Sequence, residues 1–284
     1  MSAMTWGRVG YQGEPGAYSE EAALAALPES TTIGFPTFSR VFDAVASREI
    51  DAAVLPVENS LGGIVQEVND LLWERSGLRI SRELVHPVRH CLLGRGEPVV
   101  RALSHPQALM QCRKFLEARH IQAVTFHDTA GAARAVSEGM VVGSAAIASA
   151  AAARRYGLKI IAEGIQDDDS NQTRFVIVDR GQAARPGAPG LTKASLAFPV
   201  SHKPGSLVAA LQCFSERGIN LSRLDSRPVP DRPWQYRFYV DFEVGDPETA
   251  NAALEALGHE ATEVKLFGTY PAAGEYARLI DDGA

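Results

Sequence analysis

Up to residue 180, short apolar runs alternate with segments whose apolar residues recur at helical spacing. Residues 8–11 predict a strand, then a Gly-rich turn and a helix over 19–26. A second strand is expected at 32–35 and a helix at 38–47. Residues 52–57 are almost wholly apolar, as in a parallel strand covered on both faces. Residues 64–75 read as a helix with its apolar stripe at Ile64, Val68, Leu71 and Leu72. The stretch 78–93 looks extended and divides the series in two. Beyond it the pattern predicts strands at 102–103, 124–126, 141–142, 159–162 and 173–178. Helices are expected at 107–119, 129–137 and, Ala-rich and stopped by Gly157, at 144–156. Repeated strand–helix units mean an α/β architecture, here as two lobes with a cleft between them.

The run DRGQAARPGAPGLT, from Asp179 to Thr192, has no apolar period and is rich in Gly, Pro and Ala. It reads as a linker. After it come a strand at 193–198, a helix at 205–217, strands at 220–227 and 236–242, a helix at 247–257 and a strand at 264–268. That order, βαββαβ, is the ferredoxin-like split βαβ arrangement.

Composition narrows the function. A chain of 284 residues, 45 % hydrophobic and 22 % charged, has the balance of a two-domain globular protein and excludes disordered or collagen-like chains. A net charge of -6 lacks the basic footprint of a nucleic-acid binder. Of its 28 basic residues, five are Lys (Lys114, Lys159, Lys193, Lys203 and Lys265), which suits two-pronged binding of small carboxylates by Arg. Three separated cysteines, Cys91, Cys112 and Cys213, form neither a disulfide framework nor a zinc motif. His86 and His90 flank Pro87 in an extended stretch, a poor metal pair. The N-terminus has no apolar core of signal-peptide length and no run of 18 apolar residues occurs, so the expectation is a cytoplasmic protein with no membrane partner.

Four motifs carry candidate chemistry. The turn GYQGEPGAYS, from Gly10 to Ser19, is glycine-rich before a helix, yet lacks the Rossmann and P-loop spacings. It reads either as an anion cradle or as a tight turn with Ser19 capping the helix. Glu58, Asn59 and Ser60 end the third strand and precede two glycines. The C-terminal end of a strand is where open α/β sheets bind ligands; the alternative is that Asn59 and Ser60 cap the next helix. His105, in SHPQ, is a candidate proton donor or a helix-start residue. In the run DDDSNQTRF, Thr173 offers a hydroxyl donor and Arg174 a guanidinium for a carboxylate, though neighbours on a strand face opposite ways. Gln172 and Phe175 join them as candidate substrate contacts, and Glu58 is an alternative acid if burial raises its pKa.

Taken in order, GYQGEPGAYS, PVENS, SHPQAL, DTAGAA and NQTRF resemble the prephenate dehydratase family. The part after the linker resembles an ACT regulatory domain, with Gly205, Ser206, Leu207 and Val208 where the common pattern is GALV. Asp225, Ser226, Arg227 and Pro228 stand where it is ESRP. The resemblance implies a two-lobed, periplasmic-binding-protein-like catalytic region over residues 6–181, a linker over 182–192 and an ACT domain over 193–272. It implies conversion of prephenate to phenylpyruvate, water and carbon dioxide in L-phenylalanine biosynthesis, by a monofunctional enzyme with no cofactor and no metal. The Thr that the family regards as essential matches Thr173. L-Phenylalanine is implied as an allosteric effector bound by the eight ACT residues named above, in a homodimer or homotetramer. Arogenate dehydratase, acting on the amino analogue, is the nearest alternative; a non-enzymatic solute-binding protein is a remote one.

Overall fold

The structure, a computed structural model, describes residues 6–274 apart from 97, 141, 230, 231 and 233. The elements in chain order are β1 (Arg8–Gln12), α1 (Tyr18–Ala26), β2 (Thr31–Phe35), α2 (Phe38–Ala46), β3 (Ala52–Asn59), β4 (Gly63–Ile64), α3 (Gln66–Glu74), β5 (Leu78–Pro87) and β6 (Cys91–Gly94). Then follow β7 (Arg101–Ser104), α4 (Pro106–Gln111), α5 (Arg113–Ala118), β8 (Gln122–Thr125), α6 (Thr129–Ser137), β9 (Ser144–Ala148), α7 (Ala150–Tyr156), β10 (Lys159–Glu163) and β11 (Gln172–Arg180). The last six are β12 (Lys193–Pro199), α8 (Ser206–Ser215), β13 (Leu221–Pro228), β14 (Tyr236–Glu243), α9 (Pro247–Glu260) and β15 (Lys265–Tyr270).

Three sheets form. The first has the order β2-β1-β3-β11-β5, with β4 paired to β3; the second is β10-β6-β9-β7-β8; the third is β13-β14-β12-β15. β1 pairs in parallel with β2 and β3, and β7 with β8 and β9. The extended stretch after residue 78 leaves the first sheet as β5 and enters the second as β6, and β11 returns to the first. The chain therefore crosses twice between the sheets.

The segment 144–156, expected as one helix, is a strand followed by a helix. All five residues of β9 are buried. Ala146 and Ala148 face one core, with Ala132 and Val136 of α6; Ala145 and Ile147 face another, with Leu109 and Leu116. Alanine is the best helix former, yet here burial on both faces selects the strand, because small side chains let helices close on each side. Ser149 then caps α7, accepting from Ala152 N, and Gly157 ends it at φ 66°. The strand expected at 141–142 falls partly on residue 141, outside the described residues. The helix expected over 107–119 is two short helices broken at Cys112.

By compactness the chain divides into two units: residues 1–66 with 85–175, and residues 67–84 with 176–284. The sequence boundary at 181 misses the second unit's first piece, α3 and most of β5. In this second unit β12–β15 form an antiparallel sheet. One face packs Leu196, Phe198, Val240 and Phe242 against Phe214 of α8 and Leu254 and Leu257 of α9. Burying one such side chain stabilises by about 1.5–3 kcal/mol.

The other face is polar and holds α3. Arg223 reaches Asn69 Oδ1 at 3.2 Å, Arg227 pairs with Asp70 at 2.8 Å, and the Arg237 guanidinium lies 4.0 Å over the Trp73 ring. Lys265 Nζ donates to the carbonyls of Trp73 and Arg75 at 2.5 and 2.7 Å, so a cation caps the negative end of the helix. Burial pushes that amine's pKa down. Asp241, fully buried, is paired with Arg223 at 3.0 Å and bonded by Ser195. Lys193 meets the buried Glu83 of β5 at 3.1 Å, and Arg79 meets Asp179 at 2.8 Å. These groups are why α3 and β5 belong with a sheet that follows them by more than a hundred residues.

Candidate active site

A cleft of about 280 Å³ opens in the first unit. From the first sheet and its turns come Gln12, Tyr18, Ser19, Asn59 and Thr173; from the second come His90, His105, Gln107, Gln111 and Asp128. Period-two alternation explains β11. Thr173 and Phe175 line the cleft together with Asn171, whereas Gln172 and Arg174 do not. Arg174 instead turns toward Glu58, 4.0 Å away. Glu58 and Ser60 are likewise absent from the lining among the described residues. Ser60 is spent on the chain: its hydroxyl donates to Ser170 O and accepts from Gln172 N, both at 3.0 Å. The structure therefore brings Asn59, Thr173 and Phe175 together at the cleft, and leaves Glu58, Ser60, Gln172 and Arg174 behind it.

Asn59 organises the site. Its Oδ1 accepts from the backbone N–H groups of Leu61 at 3.1 Å and Gly62 at 2.7 Å. This local turn leads into β4 rather than into a helix, so Asn59 and Ser60 do not cap α3. Its Nδ2 donates to Asn171 Oδ1 at 2.8 Å, Gln172 O at 3.0 Å and Thr173 Oγ1 at 2.9 Å. The Thr173 oxygen accepts from an amide, and its own hydroxyl, free to rotate, can turn its proton to a group in the cleft.

Further polar groups line the same wall. Gln111 Oε1 accepts from Asn171 Nδ2 at 2.9 Å and meets His90 Nε2 at 2.9 Å. His90 Nδ1 meets the Tyr18 hydroxyl at 2.8 Å. Burial lowers the His90 pKa and pushes that of Tyr18 far up, so both are neutral near pH 7. Gln111, Asn171, His90 and Tyr18 were not singled out from the sequence. A signal existed for two of them: Gln111 is four residues after Gln107 on one helix face, and Asn171 is two before Thr173.

His105 is the N-cap of α4, with Nδ1 accepting from Gln107 N at 3.2 Å, and it also lines the cleft. The Gly-rich turn packs on α7 on one side and lines the cleft with Gly13, Ala17, Tyr18 and Ser19 on the other. Gly16, at φ 90°, lets the turn seat on α7: a Cβ there would lie 2.9 Å from Ala152 Cα. Ser149 Oγ and Tyr156 OH donate to the carbonyls of Gly16 and Pro15 at 2.9 and 2.7 Å. Ala17, not Ser19, occupies the N-cap of α1, and Ser19 lines the cleft. No Arg or Lys lines the cleft among the described residues. What favours an anion there is the N-terminal end of α1, whose first residue Tyr18 is in the lining; at α6 the Asp128 carboxylate already caps the helix.

The sequence model of the family described as prephenate dehydratase matches residues 9–183, more than half of the chain. The chain belongs to the prephenate dehydratase family. Membership makes it a dehydratase, a lyase of phenylalanine biosynthesis. A protein of Arabidopsis thaliana named arogenate dehydratase/prephenate dehydratase 1, chloroplastic, is 42 % identical over 285 residues, spanning 93 % of this chain and 72 % of its own. The prephenate dehydratase of Arthrobacter aurescens, solved in complex with L-Phe, superposes with a TM-score of 0.85 at 27 % identity, covering 97 % of this chain and 98 % of that one. The structure of GqqA, described as a novel type of quorum quenching acylase, superposes at 0.86 with 34 % identity, covering 95 % and 99 %.

The expectation of a cytoplasmic protein is corrected by these relatives. Prephenate dehydratase homologues from Arabidopsis carry the word chloroplastic in their names. An apolar run is therefore no guide to the compartment of a member of this family, since a chloroplast transit peptide is amphipathic rather than apolar.

In the C-terminal sheet unit, Gly205 is the N-cap of α8 at φ 84°, with open space where a Cβ would project. Ser206 and Leu207 line a small cavity of about 160 Å³ with His202, Lys203, Trp234 and Tyr236. Val208 is exposed. Asp225, Ser226, Arg227 and Pro228 end β13, away from that cavity's lining, and Arg227 is engaged by Asp70.

Proposed function

We propose that the cleft eliminates water and carbon dioxide from prephenate, giving phenylpyruvate, without a cofactor. The C–carboxylate bond breaks, its electron pair enters the ring, and the ring C–O bond breaks as hydroxide leaves and takes up one proton. Aromatisation supplies the driving force. The protein has to hold a dianion in the reactive geometry and ease the departing hydroxide, tasks worth many powers of ten in orientation and about 10²–10⁴-fold in proton delivery. The observation that carries this reading is the Thr173 hydroxyl, whose oxygen is occupied by Asn59 and whose proton is free for the leaving group. Asn59 and Phe175 then contact substrate beside it.

A second reading, arogenate as substrate, is favoured by the names of the plant relatives. The elimination is the same, and a single keto-to-amino change separates the two. The acylase activity named for GqqA fits the cleft less well: an acyl-transfer nucleophile gives its proton to a base, whereas the contact seen at the Thr173 oxygen is a donor, the Asn59 amide. Purified protein assayed in parallel with prephenate, arogenate and an N-acyl amide decides among them. Turnover of the first alone supports the main reading; turnover of the amide alone overturns it.

The C-terminal unit, in this proposal, is an ACT domain spanning residues 193–272 after a linker over 182–192. It binds L-phenylalanine at the α8 N-terminus, with Gly205 to Val208 against the ligand and Asp225 to Pro228 supplying the second wall across a homodimer or homotetramer. The L-Phe complex of the Arthrobacter relative supports this assignment. Calorimetric titration of L-phenylalanine into wild type and Gly205→Val tests it; no heat with the wild type rejects it.

A further inference from the structure

The hydrogen-bond order around Thr173 can be followed outward, and it ends on a residue with no other assigned role. Backbone N–H groups only donate, so the contacts from Leu61 and Gly62 fix which end of the Asn59 amide is oxygen. Its nitrogen therefore faces Asn171, whose oxygen must accept there. The Asn171 nitrogen is then left to face Gln111, whose Oε1 accepts. The same Oε1 faces His90 Nε2 at 2.9 Å. An amide oxygen cannot donate, so Nε2 must carry a hydrogen. Two backbone amides thus dictate the tautomer of an imidazole three side chains away.

We propose that His90 is a positioning residue for Thr173, held as the neutral Nε2–H tautomer and acting through Gln111 and Asn171. The imidazole is 2 % exposed and its own backbone N–H donates to Gln166 Oε1 at 2.9 Å. Its ring meets Tyr18 edge-on at 81°, and the single proton of the Tyr18 hydroxyl lies within reach of both Nδ1 at 2.8 Å and the Arg89 carbonyl at 2.9 Å; in the Nε2–H tautomer the bare Nδ1 takes it. It is therefore locked in position and in rotation. Gln111 Oε1 is held by two donors at once, Asn171 Nδ2 and His90 Nε2. With no hydrogen on Nε2, two lone pairs would oppose each other and the Gln111 side chain would swing away. Asn171 would lose its acceptor, and the Asn59 amide that orients the Thr173 hydroxyl would lose its neighbour. His90 has this effect without contacting substrate.

This inference rests on the elimination proposed above, so the test separates the two. A glutamine at position 90 keeps a donor near the place of Nε2; an asparagine places its amide at the level of Nδ1 and cannot reach Gln111. With whichever of prephenate or arogenate the wild type turns over, His90→Asn and His90→Leu should lower kcat at least tenfold with KM within about threefold. His90→Gln should keep kcat within about threefold. Circular dichroism and melting of the polar pair Gln and Asn guard against a folding defect. Equal kcat for the Gln and Asn variants, or a wild-type rate in His90→Leu, overturns the assignment. Independently of activity, ¹⁵N-histidine NMR of the wild type at pH 7.5 should show His90 protonated at Nε2 only. A hydrogen on Nδ1 overturns it even if the enzyme is fully active; a wild type inert toward both substrates rejects the functional reading, and the NMR result then decides the His90 tautomer alone.

Discussion

Arg227 holds Asp70 from two sides of its guanidinium, Nε to Oδ2 at 3.0 Å and Nη2 to Oδ2 at 2.8 Å. The contact ties β13 of the C-terminal sheet to α3, a helix 157 residues earlier in sequence. Its effect on Arg227 is visible as a raised pKa, caused first by the hydrogen bond to Asp70. Tyr239 adds a hydrogen bond to the same carboxylate.

Breaking this pair tests whether the C-terminal unit communicates through α3. Asp70→Asn, which leaves Arg227 in place, should leave phenylalanine binding measurable by calorimetry while weakening its effect on rate at least threefold, and Arg227→Met should weaken that effect at least as much. In a double-mutant cycle the pair should contribute about 1 kcal/mol to stability. An unchanged phenylalanine response in both variants would remove α3 from the route.

Thr173→Val removes the hydroxyl at nearly constant volume. Steady-state kinetics should show kcat lowered at least tenfold, about 1.4 kcal/mol of barrier. Thr173→Ser, which keeps the donor, should retain most of the activity. A Val variant as active as the Ser variant would exclude the hydroxyl from the reaction.

Asn59→Asp is a sharper probe than removal. A carboxylate oxygen in place of Nδ2 would turn the Thr173 proton away from the cleft, and it would set a negative charge beside a dianionic substrate. Its kcat should fall below that of Asn59→Ala in the same assay; the opposite order would contradict the hydrogen-bond direction described here.

Gly268→Ala should destabilise the C-terminal unit. A Cβ there would come within 2.1 Å of the Ile80 carbonyl oxygen, a backbone atom that cannot rotate aside. Chemical denaturation should show a loss of about 1–3 kcal/mol, as for overpacked sites. Wild-type stability would mean that β5 and β15 part easily.

The alternation of strands and helices was readable because most buried strands are apolar and most helices carry an apolar stripe. It failed at 144–148, where alanine suits a helix by propensity and a strand by packing, and only the helices closing on both faces decide. For the site, NQTRF and PVENS lie at strand ends that line the cleft, but which side chains turn inward depends on strand phase. Thr173 and Arg174 are neighbours in sequence and face opposite ways. His90 was weighed with His86 only as a metal pair, and its place in the site was hidden because its partners Tyr18 and Gln111 lie 72 and 21 residues away. The grouping of α3 with the C-terminal sheet was equally hidden, since it rests on Arg223, Arg227 and Lys265 reaching back across the whole first unit.

That arrangement sets an order of events at the ribosome. When Arg75 leaves the exit tunnel, the lysine that will cap its carbonyl follows 190 residues behind it. At about 5–20 residues per second, the C-terminal end of α3 waits roughly 10–40 s with its last carbonyls bound only by water. The helix is nine residues long, too short to persist alone. The helix that follows Asn59 therefore has no surface to fold against until the C-terminal sheet is made, and β3 itself waits for β11, which brings the partners of Asn59 from 112 to 114 residues later.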